Sequence, residues 1–98
     1  MTETTTDSRG IFIGDKPLMS YVTAVVMQLT SQIANKVVIK GRGKFISKAV
    51  DVAEVVRGRF LKDKVNLGEI KIGSGDFTNR ENKQIRVSTI EIELIRKD

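Results

Sequence analysis

The sequence predicts an α+β fold, a two-layer sandwich in the order β-α-β-α-β-β with a long β-hairpin arm. Two segments repeat apolar residues at the spacing of a helix, and short apolar runs without that spacing stand before, between and after them. Twelve residues, Gly73 to Gln84, separate the last two strand patterns, and only Phe77 among them is strongly apolar. Ordinary hairpin loops take about two to five residues, so the excess reads as two strands running on beyond the core as a solvated arm. Split into two sides of about six residues, at about 3.3 Å each, the arm projects roughly 20 Å.

Met1 to Arg9 is polar and Thr-rich and reads as a disordered tail, which leaves residues 10–98 as a single domain. Ile11-Phe12-Ile13 is a short buried strand, stopped by Gly14. Pro17 suits the first turn of a helix, where its missing N–H costs nothing. Leu18, Val22, Val25, Leu29 and Ile33 follow at helical spacing, with Met19 and Val26 widening the stripe. The remaining face is polar but uncharged, which predicts a helix covered on more than one side. Val37-Val38-Ile39, apolar throughout, reads as a central strand.

Ile46, Ala49, Val50, Ala53, Val56 and Phe60 mark a second helix that ends near Gly58 to Phe60. Lys48, Asp51, Glu54 and Arg57 on its other face stand three apart, a spacing that allows ion pairs. Val65 to Ile72 is a third strand with a bulge or bend at Gly68, and Ile85 to Ile95 a fourth. On this last strand Ile90, Ile92 and Leu94 share a face that continues outward through Ser88 to Arg86, from apolar to cationic.

The chain carries 17 basic and 12 acidic residues, a net charge of +5, which points to an anionic partner. Neither Cys nor His is present. Disulfide and thiolate chemistry are thereby excluded, and the usual general base, the commonest metal ligand and the Ser-His and Cys-His pairs are missing. No metal and no other cofactor is expected, and an enzyme is a poorer reading than a binding protein. Asp51 and Glu54 could suggest an acid or metal pair, but Lys48 and Arg57 flank them as salt-bridge partners. No signal peptide is visible, and the uncharged stretch from Pro17 to Asn35 is too interrupted for a span of about 20 apolar residues. A cytoplasmic protein without a membrane partner is expected.

The stretch from Lys36 to Lys48 carries five basic residues and no acidic one. An apolar strand runs into Lys40-Gly41-Arg42-Gly43-Lys44, and a helical pattern follows. The glycines let backbone amides approach a ligand, and a helix start brings unpaired N–H groups and the positive end of its dipole. The expected ligand is a phosphate, or a row of them. The glycine spacing fits neither a P-loop nor a dinucleotide fingerprint. Lys16 opposes the dipole of the first helix, which favours a functional reason for it. Arg80, Lys83 and Arg86 lie on the arm, diluted by Asp76 and Glu81, where cations also protect a sheet edge. The candidate nucleic-acid-binding set is therefore Lys16, Lys40, Arg42, Gly43, Lys44 and Lys48 on the body and Arg80, Lys83 and Arg86 on the arm.

With loop and arm together, the chain closely resembles the archaeal Alba family of DNA/RNA-binding chromatin proteins. The matching residues include Ile13-Gly14, Lys16-Pro17, Met19, Tyr21-Val22, Val37-Val38-Ile39-Lys40, Arg42-Gly43 and Ile46-Ser47-Lys48-Ala49-Val50-Asp51. Arg57, Arg59-Phe60-Leu61 and Val87-Ser88-Thr89-Ile90-Glu91-Ile92 complete them. The resemblance implies a chromosome-associated protein that coats and compacts double-stranded DNA as a dimer, a homodimer or a heterodimer with a paralogue, and that also binds RNA. It implies a fold like the C-terminal domain of bacterial translation initiation factor three. By the same resemblance Lys16, Arg42 and Lys44 line the DNA-facing body, and the arm with Arg86 reaches towards the minor groove. Phe60, with Arg59 and Leu61, makes the contact between neighbouring dimers, and Lys16 lies in the loop where lysine acetylation acts.

Three residues depart from the family pattern. Asp15 stands where members often have a second Lys, which weakens the patch. Gly41 replaces the usual Ala, which is expected to loosen the loop. Lys44 replaces the usual Arg and loses the planar fork that grips a phosphate.

The leading reading is a sequence-nonspecific architectural protein of double-stranded DNA. The alternative is an RNA-binding protein of ribonucleoprotein complexes. Single-strand binders use exposed aromatics in numbers, and the sequence offers only Phe77 on the arm, which favours duplex. A metal-dependent nuclease ranks last, for want of His and of clustered carboxylates.

Overall fold

The computed structural model describes residues 10–31 and 34–97. The tail expected over residues 1–9, and Ile33 at the end of the first helical stripe, lie outside the described residues. The elements run β1 (Ile11–Phe12), α1 (Leu18–Thr30), β2 (Lys36–Arg42), a 3-10 turn (Gly43–Phe45) and α2 (Ile46–Val55). A π-helical turn (Val56–Phe60), β3 (Val65–Thr78) and β4 (Gln84–Arg96) complete the expected order. The four strands form one sheet in the order β1-β2-β4-β3, in which β1 is parallel to β2 and the other neighbours are antiparallel.

Alternation along β2 builds the layers. Val37, Ile39 and Gly41 face the helices and are buried, while Lys40 and Arg42 face the other way. Val22, Val25 and Leu29 of α1 meet Ala49, Val52 and Ala53 of α2 and Val56 of the π-helical turn over Ile11, Ile39, Ile92 and Leu94 in one core. A side chain as fully enclosed as Leu29, Ile39 or Leu94 contributes about 1.5–3 kcal/mol. At the end of α1, the Arg96 guanidinium donates to the Leu29 carbonyl at 2.9 Å, satisfying one of the acceptors a helix leaves open.

Two sequence expectations fail at the helix faces. Val50 is exposed and Val52 takes its place, because the residues that meet the sheet and α1 are Ala49, Val52, Ala53 and Val56. Helix α1 buries a single stripe, with Met19 and Met27 left exposed, and so is not covered on several sides by the described residues.

The hairpin is long, as expected. Its ladder pairs Gly73 with Thr89 and continues without a break to Thr78 with Gln84, and the molecule measures 46 × 27 × 21 Å. Asn79 closes the tip: its side-chain oxygen accepts from the amides of Glu81 and Lys83 at 2.9 and 3.0 Å, while Asn82 takes a left-handed φ of 63°. The register shifts between Leu67 and Ile70, the bulge anticipated at Gly68. There the Glu69 amide donates to Glu93 Oε1 at 3.1 Å, and Lys36 approaches the same carboxylate at 3.3 Å. These contacts, the amide first, hold the Glu93 carboxyl below the ordinary glutamate value against an opposing effect of desolvation.

Candidate nucleic-acid interface

Residues 14–16 form the turn that leads from β1 into α1, and two side chains pin its backbone from opposite sides. The buried Tyr21 hydroxyl accepts from the amides of Gly14 and Lys16 at 2.9 and 3.1 Å. The Lys48 ammonium, from the first turn of α2, donates to the Gly14 carbonyl at 2.7 Å and to the Lys16 carbonyl. The chain is held at its backbone while the side chains of Asp15 and Lys16 remain exposed. The same bonds bring Lys16 beside the start of α2, immediately after Arg42 and Lys44. Neither helix start has a side-chain cap: Pro17 and Phe45 occupy the cap positions without one.

Lys48 is thus tied to the loop by its ammonium. It sits half-buried and spends its donors on the loop, so Lys16, Arg42 and Lys44 are the exposed cations of this patch. On the other face of α2, Arg57 pairs with Glu54 at 2.6 Å, the ion pair that the spacing allowed.

The two glycines have separate tasks. Gly43 takes a φ of +56°, a left-handed conformation that an L side chain strains to adopt, and turns the chain from β2 into the 3-10 turn. Gly41 lies within β2, paired with Ile90, and is buried. A Cβ there would stand 2.8 Å from the Phe45 carbonyl oxygen and 2.9 Å from Ala49 Cβ. Gly41 therefore lets α2 sit close on the sheet. The expectation that it presents an amide to a ligand, and that it loosens a loop, is overturned by this packing.

Arg42 joins the body to the arm. It pairs with Thr89 where the hairpin leaves the sheet, and its guanidinium lies 4.2 Å from the centre of the Phe77 ring. Gly75 makes room for that ring, for a Cβ on it would stand 3.2 Å from the ring edge. Further out, Arg86 faces Asp76 at 3.7 Å across the ladder, so its charge is partly offset. Arg80 and Lys83 are exposed at the tip.

The residues grouped around Phe60 separate. The π-helical turn, closed by the Leu61 amide on the Val56 carbonyl at 2.8 Å, drives Leu61 into the core at 6% exposure. Phe60 turns outward at 49% exposure, beside exposed Arg59. Leu61 is thus a core residue, and of the three only Phe60 and Arg59 are exposed.

Sequence reasoning missed the pinning roles of Tyr21 and Lys48. A tyrosine in an apolar stripe five residues beyond Lys16 was the only signal. It also missed that Phe12, at 56% exposure, is an outward aromatic on β1.

A basic sheet-and-helix body that extends a basic hairpin arm defines the class of this protein. Residues 10–74 match the family model described as Alba. The chain is 58% identical to the DNA/RNA-binding protein Alba of Nanoarchaeum equitans (strain Kin4-M) over 88 residues, which span 89% of this chain and 97% of that protein. The solved structure of Alba from Thermoplasma volcanium superposes with a TM-score of 0.81 at 48% identity, covering 88% of this chain and 98% of the other. ALBA1 from Trypanosoma brucei shares the fold at a TM-score of 0.71 and 21% identity, covering 95% of this chain and 73% of that one. The chain belongs to the Alba family.

Proposed function

We propose that this protein is an architectural nucleic-acid-binding protein that holds double-stranded DNA through its phosphates, with little regard to sequence, and packages it as a dimer in the cytoplasm, on the chromosome. The observation that carries this reading is the loop at residues 14–16, pinned by Tyr21 and Lys48 so that Lys16 stands with Arg42 and Lys44 at two uncapped helix starts. Fixed cations are what a phosphate row requires, while the arm supplies Arg80, Lys83 and Arg86 at a distance. Acetylation of Lys16 would remove one charge from the patch and weaken it. The relative named DNA/RNA-binding protein Alba supports the same partners.

The dimer rests on a second surface. Leu67, Ile70 and Ile72 pair with Leu94, Ile92 and Ile90 and so share the sheet face that the helices cover elsewhere. On β3 none of the described residues covers that face, and Ile72 is 83% exposed. A contiguous apolar stripe of this kind marks an interface, and a second copy would cover it. Two copies of +5 carry about +10, enough to spread the cationic surface over more than one turn of duplex. Phe60 and Arg59 lie outside this stripe and are free to join one dimer to the next.

The test is binding to two unrelated duplexes of equal length, with assembly followed in parallel. Both duplexes are expected to bind alike. Ile72→Asp is expected to yield a monomer with weaker binding, whereas Phe60→Ala keeps affinity for a short duplex and loses cooperative loading on long DNA. A thousandfold preference for one duplex would overturn the reading.

A further inference from the structure

We infer that the sheet face turned away from the helices holds a further site, sharing Arg42 and Lys44 with the body patch, for an unpaired nucleotide of single-stranded RNA or DNA; this rests on the nucleic-acid reading above and adds a ligand form to it. Three of the four phenylalanines, Phe12, Phe45 and Phe77, line one open groove of about 530 Å³. Each ring carries a cation: Lys40 lies 5.2 Å from the centre of Phe12, Lys44 5.3 Å from Phe45 and Arg42 4.2 Å from Phe77. Strand alternation puts the first and third pairs there, while Lys44 and Phe45 come from the 3-10 turn, with Phe45 partly packed against the core. Lys40 and Arg42 point away from buried Ile39 and Gly41, Phe12 points away from buried Ile11 and Ile13, and Phe77 shares its face with Thr89.

Aromatic faces interleaved with cations are the means by which single strands are bound, the rings stacking on bases and the charges following the phosphates. A single strand offers its base faces to such rings directly, whereas a duplex must first be unstacked, at a cost in free energy for every step. The groove has the size of a small-ligand site, about 300–1,000 Å³. Its floor also carries Thr89 and Glu91, the latter with Lys40 and Lys71 as its cross-strand neighbours. Hydroxyl and carboxylate oxygens there can accept from a base amino group, which a single strand presents together with the rest of its Watson–Crick edge. Phe12 is the ring to test, because its exposure allows replacement without opening the core and it takes no part in the body patch.

The experiment measures Phe12→Leu and Phe12→Tyr beside the unaltered protein, against labelled single-stranded RNA and DNA of mixed sequence and against a duplex. Melting temperatures confirm the fold. Phe12→Leu is expected to weaken single-strand binding at least about fivefold, the low end for removing one base stack, with duplex affinity held within about twofold. Phe12→Tyr, which keeps the ring, is expected to retain single-strand affinity. The two probes show whether RNA or DNA is the better ligand. Equal losses on single strand and duplex, or no loss on single strands, would overturn the proposal. So would failure of the unaltered protein to bind single strands while it binds duplex. Failure to bind any of the three probes would sink the nucleic-acid reading as well.

Discussion

The body loop and the hairpin arm both present cations, but they hold them in different ways. At the body, Lys16 rides on a backbone fixed by Tyr21 and Lys48 against a packed core. On the arm, Arg80 and Lys83 ride on a two-stranded ladder with water on both sides, and the Asn79 turn alone closes its end. An isolated hairpin is marginally stable in water, so the arm depends on its continuity with β3 and β4 in the sheet. The body is built to offer charge at fixed points, the arm to reach and conform. The Arg42–Phe77 contact is where the two meet.

The largest effect that separates the regions is on stability. Leu94→Ala, in the core under the body, is expected to cost about 2–5 kcal/mol. Ile85→Ala, at an exposed position on the arm, is expected to cost about 1 kcal/mol or less. Denaturant melts of both variants check this, and equal losses would mean that the arm is packed against something.

A subtler contrast lies in two lysines of equal charge. Lys48→Met removes the two charge-assisted bonds to the loop and is expected to cost about 1 kcal/mol and to speed hydrogen exchange at the Gly14 and Lys16 amides. Lys83→Met is expected to leave that exchange unchanged and only to lower duplex affinity. If the two variants behave alike, Lys48 acts through its charge and not by positioning the loop.

The smallest effect is at the bulge. The Glu93 carboxyl lies below its ordinary value, so its contribution to stability is present above the unfolded value and fades as the pH falls through the folded one. Glu93→Gln is expected to flatten the acid limb of the stability–pH curve slightly and leave neutral pH nearly unchanged.

Much of this was legible in the sequence. Twelve residues without a core pattern could only be solvated, and paired strands are the simplest way to solvate them, so the arm followed from Gly73 to Gln84. The strand character of Val37 to Ile39 followed from an apolar run too short for a helix. What stayed hidden depends on tertiary neighbours. Val50 and Val52 are equally apolar, and only the angle at which α2 meets α1 and the sheet chooses between them. Lys48 could have faced solvent or Asp51, and only the closeness of the loop carbonyls decides. Phe12 and Phe45 come to the same groove as Phe77 because three chain-distant elements converge, which no local spacing records.

The claim that body and arm both grip phosphates is tested most directly by the salt dependence of duplex binding. The comparison sets the unaltered protein beside Arg42→Ala/Lys44→Ala and Arg80→Ala/Lys83→Ala. A dimer that neutralises on the order of 6 phosphates gives a slope of about −5 in log affinity against log salt. Each pair of substitutions is expected to make that slope shallower, by about one for every phosphate that the dimer no longer neutralises. A flat salt response in the unaltered protein, or a slope that neither pair changes, would contradict the account.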